Sequence, residues 1–176
     1  MGSVSPAPSR LLLDTNVWLD YLLGWRRGQR VAHELVTTAL KVGVELLYAV
    51  HASKDLFYLV SSDFKRNAPR DENGRLAPGV GEAAQKVAWS CLDLLDEIAT
   101  AVGCDQSDIW LARKQRSIHG DYEDDLLIAA VRRSGADLLV TSDERLLRHC
   151  PVAALDVEDA LRYVRSLSDL EDSAIG

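Results

Sequence analysis

An α/β fold is predicted here, a three-layer α/β/α sandwich with a central, mostly parallel sheet of four to five strands, and three observations predict it. Short apolar runs bounded by turn residues recur along the chain, amphipathic helical stretches alternate with them, and two of the runs end abruptly in a segment bearing aspartate. Alternation of this kind means βα units, whose crossovers set successive strands parallel and put helices on both faces. The chain has 176 residues and no internal repeat, which fits one domain on a prior of roughly 100 to 200 residues each.

Taken in order, residues 1–10 (MGSVSPAPSR) are expected to form a flexible arm, with no leader-like apolar stretch behind the start. Leu11, Leu12 and Leu13 read as a buried strand, with Asp14 at its carboxyl end. Residues 17–23 give a short helix, 24–28 a turn, and 30–41 a helix with Val31, Leu35, Ala39 and Val42 on one face, broken by Gly43. Residues 44–50 (VELLYAV) read as a second strand and 53–64 as a helix. Residues 65–80, with their prolines, glycines and charges, are expected to be an inserted surface loop within a domain spanning 11–167. Helix returns over 82–97, ATAV at 99–102 is a third strand, and Asp105 or Ser107 caps a helix holding Ile109, Leu111 and Ala112. A helix over 121–133 stops at Gly135. Residues 136–141 (ADLLVT) form a fourth strand, 144–149 a short helix, 152–155 a fifth strand, 157–167 the closing helix, and 168–176 a tail.

Composition narrows the function. Hydrophobic residues make up 47% and charged ones 27%, enough for a core and unlike a disordered chain. The net charge of −7 argues against a general basic surface that coats nucleic acid, though a local basic groove is compatible with it. Three cysteines, Cys91, Cys104 and Cys150, with no C-x-x-C pair, suggest small core residues in a reducing cytoplasm rather than a disulfide scaffold or zinc knuckle. No apolar run approaches the roughly 18 to 20 residues of a membrane span.

In open α/β sheets, ligands gather outside the carboxyl ends of the strands. Asp14 follows one strand and Asp143 another. Asp55, in SKDLFYLV, and Asp124, in GDYEDDLLIAA, lie near helix starts that open on the same edge. Four carboxylates at one crevice repel one another, and such a cluster normally persists by binding a divalent cation. Oxygen-only ligands favour Mg²⁺ or Mn²⁺ over zinc. Each acid also has a plain structural explanation. Asp143 suits a helix N-cap, Asp121 with Asp124 a capping arrangement, and Asp55 a helix-dipole partner. Asp14 is the least easily explained away, because Thr15 or Asn16 would cap equally well.

These residues resemble the PIN-domain nucleases, which include the VapC-like toxin ribonucleases of toxin–antitoxin pairs. LLLDTNVWLDYL resembles the family's opening strand and D-[ST]-N segment, and GDYEDDLLIAAVRRSGADLLVTSDERLL its central acidic block, glycine turn and closing T-x-[DN] strand end. The resemblance runs over about 11–164, with 65–80 as an insertion relative to compact members. It implies a metal-dependent endoribonuclease that hydrolyses RNA phosphodiesters with Mg²⁺ or Mn²⁺. By its pattern, Asp14, Asp124 and Asp143 are metal-binding and catalytic acids. Asp124 is chosen over Asp125 because it lies 11 residues before Gly135. Asp55 stands where the family usually has glutamate, one methylene longer. Asp121 accompanies the metal set, and Asn16, Thr141 and Ser142 are supporting polar groups behind the ligands. Asp125 is read as a solvent-facing or secondary acid, and Asp20 and Glu123 receive little weight. Implied partners are RNA, an antitoxin protein and a second copy of the chain, in the cytoplasm and away from membranes.

A polyanionic substrate meeting an acidic protein needs local positive charge. Arg26, Arg27 and Arg30, then Lys65, Arg66 and Arg70, then Arg113, Lys114 and Arg116 are the candidates; of these, Arg26, Arg27, Arg113, Lys114 and Arg116 flank the expected edge. Arg132 and Arg133 read as a solvated face. Trp18 and Trp25 are either base-stacking groups or core residues. The four histidines lack metal-ligand spacing, and only His119 lies near the acidic block. A dehalogenase-like phosphatase would need an aspartate where Asn16 stands, and a phosphoreceiver domain would need paired acids and a late lysine. The alternative from a different class is a PIN-fold module that binds RNA or assembles with partners but cleaves weakly.

Overall fold

A computed structural model describes residues 9–116 and 120–175, with side chains to 167; residues 1–8 of the expected arm and His119 lie outside the described residues. The strands are β1 (Arg10–Leu13), β2 (Glu45–Ala49), β3 (Thr100–Val102), β4 (Leu138–Val140) and β5 (Ala154–Leu155). They form one parallel sheet in the order β3-β2-β1-β4-β5. The helices are α1 (Thr15–Leu22), α2 (Gln29–Lys41), α3 (Val50–Asn67), α4 (Val80–Ile98), α5 (Gln106–Gln115), α6 (Tyr122–Ser134), α7 (Glu144–His149) and α8 (Val157–Ile175).

β1 is central because its leucines are covered from both sides. Leu11 and Leu13 join a core with Val17, Trp18, Leu35, Leu56, Ala88 and Val164, while Leu12 joins the opposite core with Leu47, Ile128, Leu139 and Leu146. A continuous apolar run is what a doubly covered parallel strand requires. Burying each such leucine is worth about 1.5–3 kcal/mol. The register pairs Leu12 with both Leu47 and Leu139. The chain builds outward through β2 and β3 on one side of β1 and then returns to β4 on the other, so the switch in strand order falls between β1 and β4. That crevice is where open α/β sheets place ligands.

Three expectations need correction. The insertion is shorter than 65–80: α3 continues to Asn67 and stops at Ala68, whose extended backbone is the one a following Pro69 enforces. α4 begins behind Gly79, whose φ of 83° few other residues adopt. The connection is itself folded, by a bridge between Arg70 and Leu76 and by Asp71 accepting from the Asn73 and Arg75 amides at 2.9 and 2.8 Å. Arg10 belongs to β1 rather than to an arm, its guanidinium donating to Glu45 at 2.7 Å. Finally, α8 runs on to Ile175 through the segment expected to be a tail.

Candidate active site

The Asp14 amide still belongs to the sheet, donating to the Val140 carbonyl at 2.9 Å. Its carbonyl already belongs to α1, accepting from Val17 and Trp18 at 3.0 and 3.1 Å. Held from both directions, the side chain emerges at the switch point and is only 9% exposed. Thr141, fully buried just past β4, donates its hydroxyl to Asp14 Oδ2 at 2.7 Å and accepts the Asp143 amide at 3.0 Å. One hydroxyl thus ties together the carboxyl ends of the two strands that flank the switch. Asp143 caps α7, accepting from the Arg145 and Leu146 amides at 2.7 and 3.1 Å. Asp121 caps α6, accepting from Glu123 and Asp124 at 3.0 and 3.5 Å. The capping role of both acids is therefore real, and it leaves each carboxylate at a positive helix end.

Electrostatics show which acids feel one another. Burial raises the Asp14 pKa, and the charge of Asp143 adds to it, against the Thr141 hydroxyl and the amides of Thr15 and Asn16. Burial also raises Glu123, and Asp55, Asp14 and Asp121 push it further, with Lys54 opposing. Glu123, a position to which the sequence pattern assigned little weight, thus senses the β1 and α3 carboxylates together. Asp55 sits 3.2 Å from Lys54. Asp124 is half-buried, and its charge reaches Cys150 at the end of α7. Asp125 is buried at 2% exposure rather than solvent-facing.

These groups suit a hard divalent cation in chemistry, being carboxylates held with a hydroxyl behind them and no sulfur. Among the described residues no three acids, histidines or cysteines form a ready-made cage. Asp14, Asp124 and Asp143, with Asp55, Asp121 and Glu123 near them in the fold, are the acids that would hold the ion, with Asp143, Asp121 and Asp55 turning from their present partners. Thr141→Val keeps the shape but removes both links. We expect kcat to fall by about 10–100-fold, the usual loss for a group that orients a metal ligand, with KM little changed. Unchanged kcat in steady-state kinetics would show that the link is structural only.

The substrate side is partly reassigned. Arg26 donates to Asp20 at 2.6 Å and Asp63 at 3.0 Å, fastening the turn after α1 to α3, so its charge is not free for a phosphate. Gly28 belongs to the same lock, since the Asp20 carboxylate occupies the space a Cβ would need. Arg27 stays exposed and lines a cleft of about 380 Å³ with Ser142, Glu144 and Glu158. Asn16 is exposed beside Asp14. Arg113 and Lys114, in the last turn of α5, and Arg116, just past its end, are exposed. Arg133, expected on a solvated face, joins Asp105 at 2.6 Å and Asp108 at 2.8 Å instead. Trp18 is fully buried, and Trp25 lies edge-on to Phe64 in an apolar cleft, so neither is placed as a base platform beside Asp14. Cys104 is exposed rather than in the core. No helix among the described residues is long and apolar enough to cross a membrane.

Several solved structures share the fold, and two of them illustrate the likeness. One is VapBC2 from Rickettsia felis bound to a DNA fragment from their promoter, with a TM-score of 0.58 and 12% identity over 84% of this chain and 98% of that one. The other is FitAB bound to an IR36 DNA fragment, with a TM-score of 0.53 and 15% identity over 84% and 95%. Among curated proteins, none matches the chain. The model of the PIN domain matches residues 10–145, from the first residue of β1 to just past Asp143, and the chain belongs to the PIN domain family.

Proposed function

We propose that the protein is a Mg²⁺- or Mn²⁺-dependent endoribonuclease. The observation that carries this reading is Asp14, buried at the switch point with its pKa raised and coupled to Asp143 and, through Glu123, to Asp55. A bound divalent ion supplies an activated water and charge neutralisation at the scissile phosphate. Asp14 serves as the fixed anchor, since its backbone is held by β4 and α1. Thr141 keeps Asp14 and Asp143 in register, and the helix starts at α1, α6 and α7 add positive ends around the phosphate. Glu123 offers the reach that Asp55, one methylene short, lacks.

The test is cleavage of an unstructured RNA with Mn²⁺, with EDTA, and with Glu123→Gln. Cleavage should require the metal and fall at least about tenfold in the variant, in the range of a group that positions a catalytic ion. Metal-independent cleavage, or full activity in Glu123→Gln, would contradict the assignment. A weakly cleaving RNA-binding module is the second reading, favoured by Asp143 and Asp55 being engaged as a cap and an ion pair. In that case RNA would bind without turnover. The fold likeness to VapBC2 and FitAB is in keeping with a toxin role and an antitoxin partner, which co-purification with the neighbouring gene product would test; a second copy of the chain and a cytoplasmic setting rest on the family resemblance alone.

A further inference from the structure

Trp110 is 59% exposed on α5, a large ring set among basic side chains in a chain whose net charge is −7. One helical turn on, Lys114 places its ammonium 5.3 Å from the centre of the indole. Among the described residues, Trp110, Arg113, Lys114 and Arg116 line one groove of about 450 Å³. α5 and α6 pack antiparallel, because Asp105 and Asp108 at the start of α5 pair with Arg133 near the end of α6. From Asp108 to Arg116 is about 12 Å of helix. The same distance back along α6 from Arg133 reaches its first turn, which carries Glu123 and the Asp121 cap. The basic end of α5 therefore flanks the acidic crevice.

We propose that this groove is a stacking platform for single-stranded RNA, with Trp110 receiving a base while Lys114, Arg113 and Arg116 hold the adjoining phosphates. The inference rests on the nuclease reading for its substrate class, and it adds a preference for unpaired over duplex RNA. Charge alone would attract any polyanion. An exposed indole within reach of a cation adds a surface that only an unstacked base can cover. Lys114 now lies over the ring, and in swinging to a phosphate it would free that face of the indole for the attached base. Stacking is tolerant of base identity, which suits a platform rather than a sequence reader.

The test is fluorescence anisotropy on the full chain in EDTA, with a labelled octaadenylate and the same strand paired to its complement. Working without metal separates binding from cleavage, so a failed nuclease reading leaves the result interpretable. The single strand should bind more tightly than the duplex. Trp110→Ala should weaken the single strand by about tenfold and leave the duplex nearly unchanged, Trp110→Phe should restore most of the loss, and Lys114→Ala should flatten the salt dependence. Equal loss on both RNAs, or an affinity unchanged by Trp110→Ala in a protein of wild-type Tm, would overturn the proposal. An acidic peptide that outcompetes the RNA for the groove would also overturn it, assigning the surface to a protein partner.

Discussion

Asp14→Asn should lose RNA cleavage by at least about 100-fold while melting, in metal-free buffer, at a higher temperature than the wild type. The two effects have one origin. The folded chain holds Asp14 at a pKa raised by burial and by Asp143, above the value of about 3.9 it takes when unfolded. Between those values the folded state binds more protons than the unfolded one, so stability falls as pH rises through the interval, and the whole penalty is present above the raised value. Asparagine carries no charge, and its side-chain oxygen still accepts the Thr141 hydroxyl. For a domain of this size each kcal/mol relieved raises Tm by about 2–4 °C. The pH dependence gives a second readout. Stability of the wild type should increase as pH drops through the raised value toward the unfolded one, and the variant should lack that component. A lower Tm in the variant would mean that Asp14 serves the fold and not the site.

Arg26→Ala should behave in the opposite way, costing stability and sparing RNA binding. Asp63 is 7% exposed and Asp20 is half-buried, and Arg26 bridges them. Removing one partner of a fully buried pair costs about 3–5 kcal/mol. Here Arg66 remains on Asp63 at 2.7 Å and the guanidinium is partly solvated, so about 2 kcal/mol is the reasonable scale, or a Tm drop of about 4–8 °C. RNA affinity measured well below the melting temperature should change less than twofold. A large loss of affinity with an unchanged Tm would return Arg26 to the substrate surface.

The contrast between these residues shows what the sequence could convey. The LLLD run announced both a doubly buried strand and an acid at its end, because apolarity on every position is possible only in a covered parallel strand. Gly135, with φ of 64°, closed α6 where a left-handed turn was expected. Strand order was not legible, since it depends on which strands find β1 across long sequence separations. The ends of α3 and α8 were misplaced because charge-rich stretches such as KRN read as loop when composition is weighed above the absence of a breaker. Arg26 and Arg113 look alike as basic residues near an edge; what separates them is Asp63, 37 residues away and invisible to local pattern. Glu123 was underweighted for a similar reason. Motif spacing points to Asp124 and does not show that the neighbouring Glu123 also senses Asp14 and Asp55.

The most direct measurement is calorimetric titration of Mn²⁺ into the wild type and Asp14→Asn. A carboxylate metal centre anchored on Asp14 demands saturable heat in the wild type, lost in the variant, with a matching rise in wild-type Tm that grows with the ion concentration. Identical titrations in the two proteins, whether both bind or neither does, would contradict it.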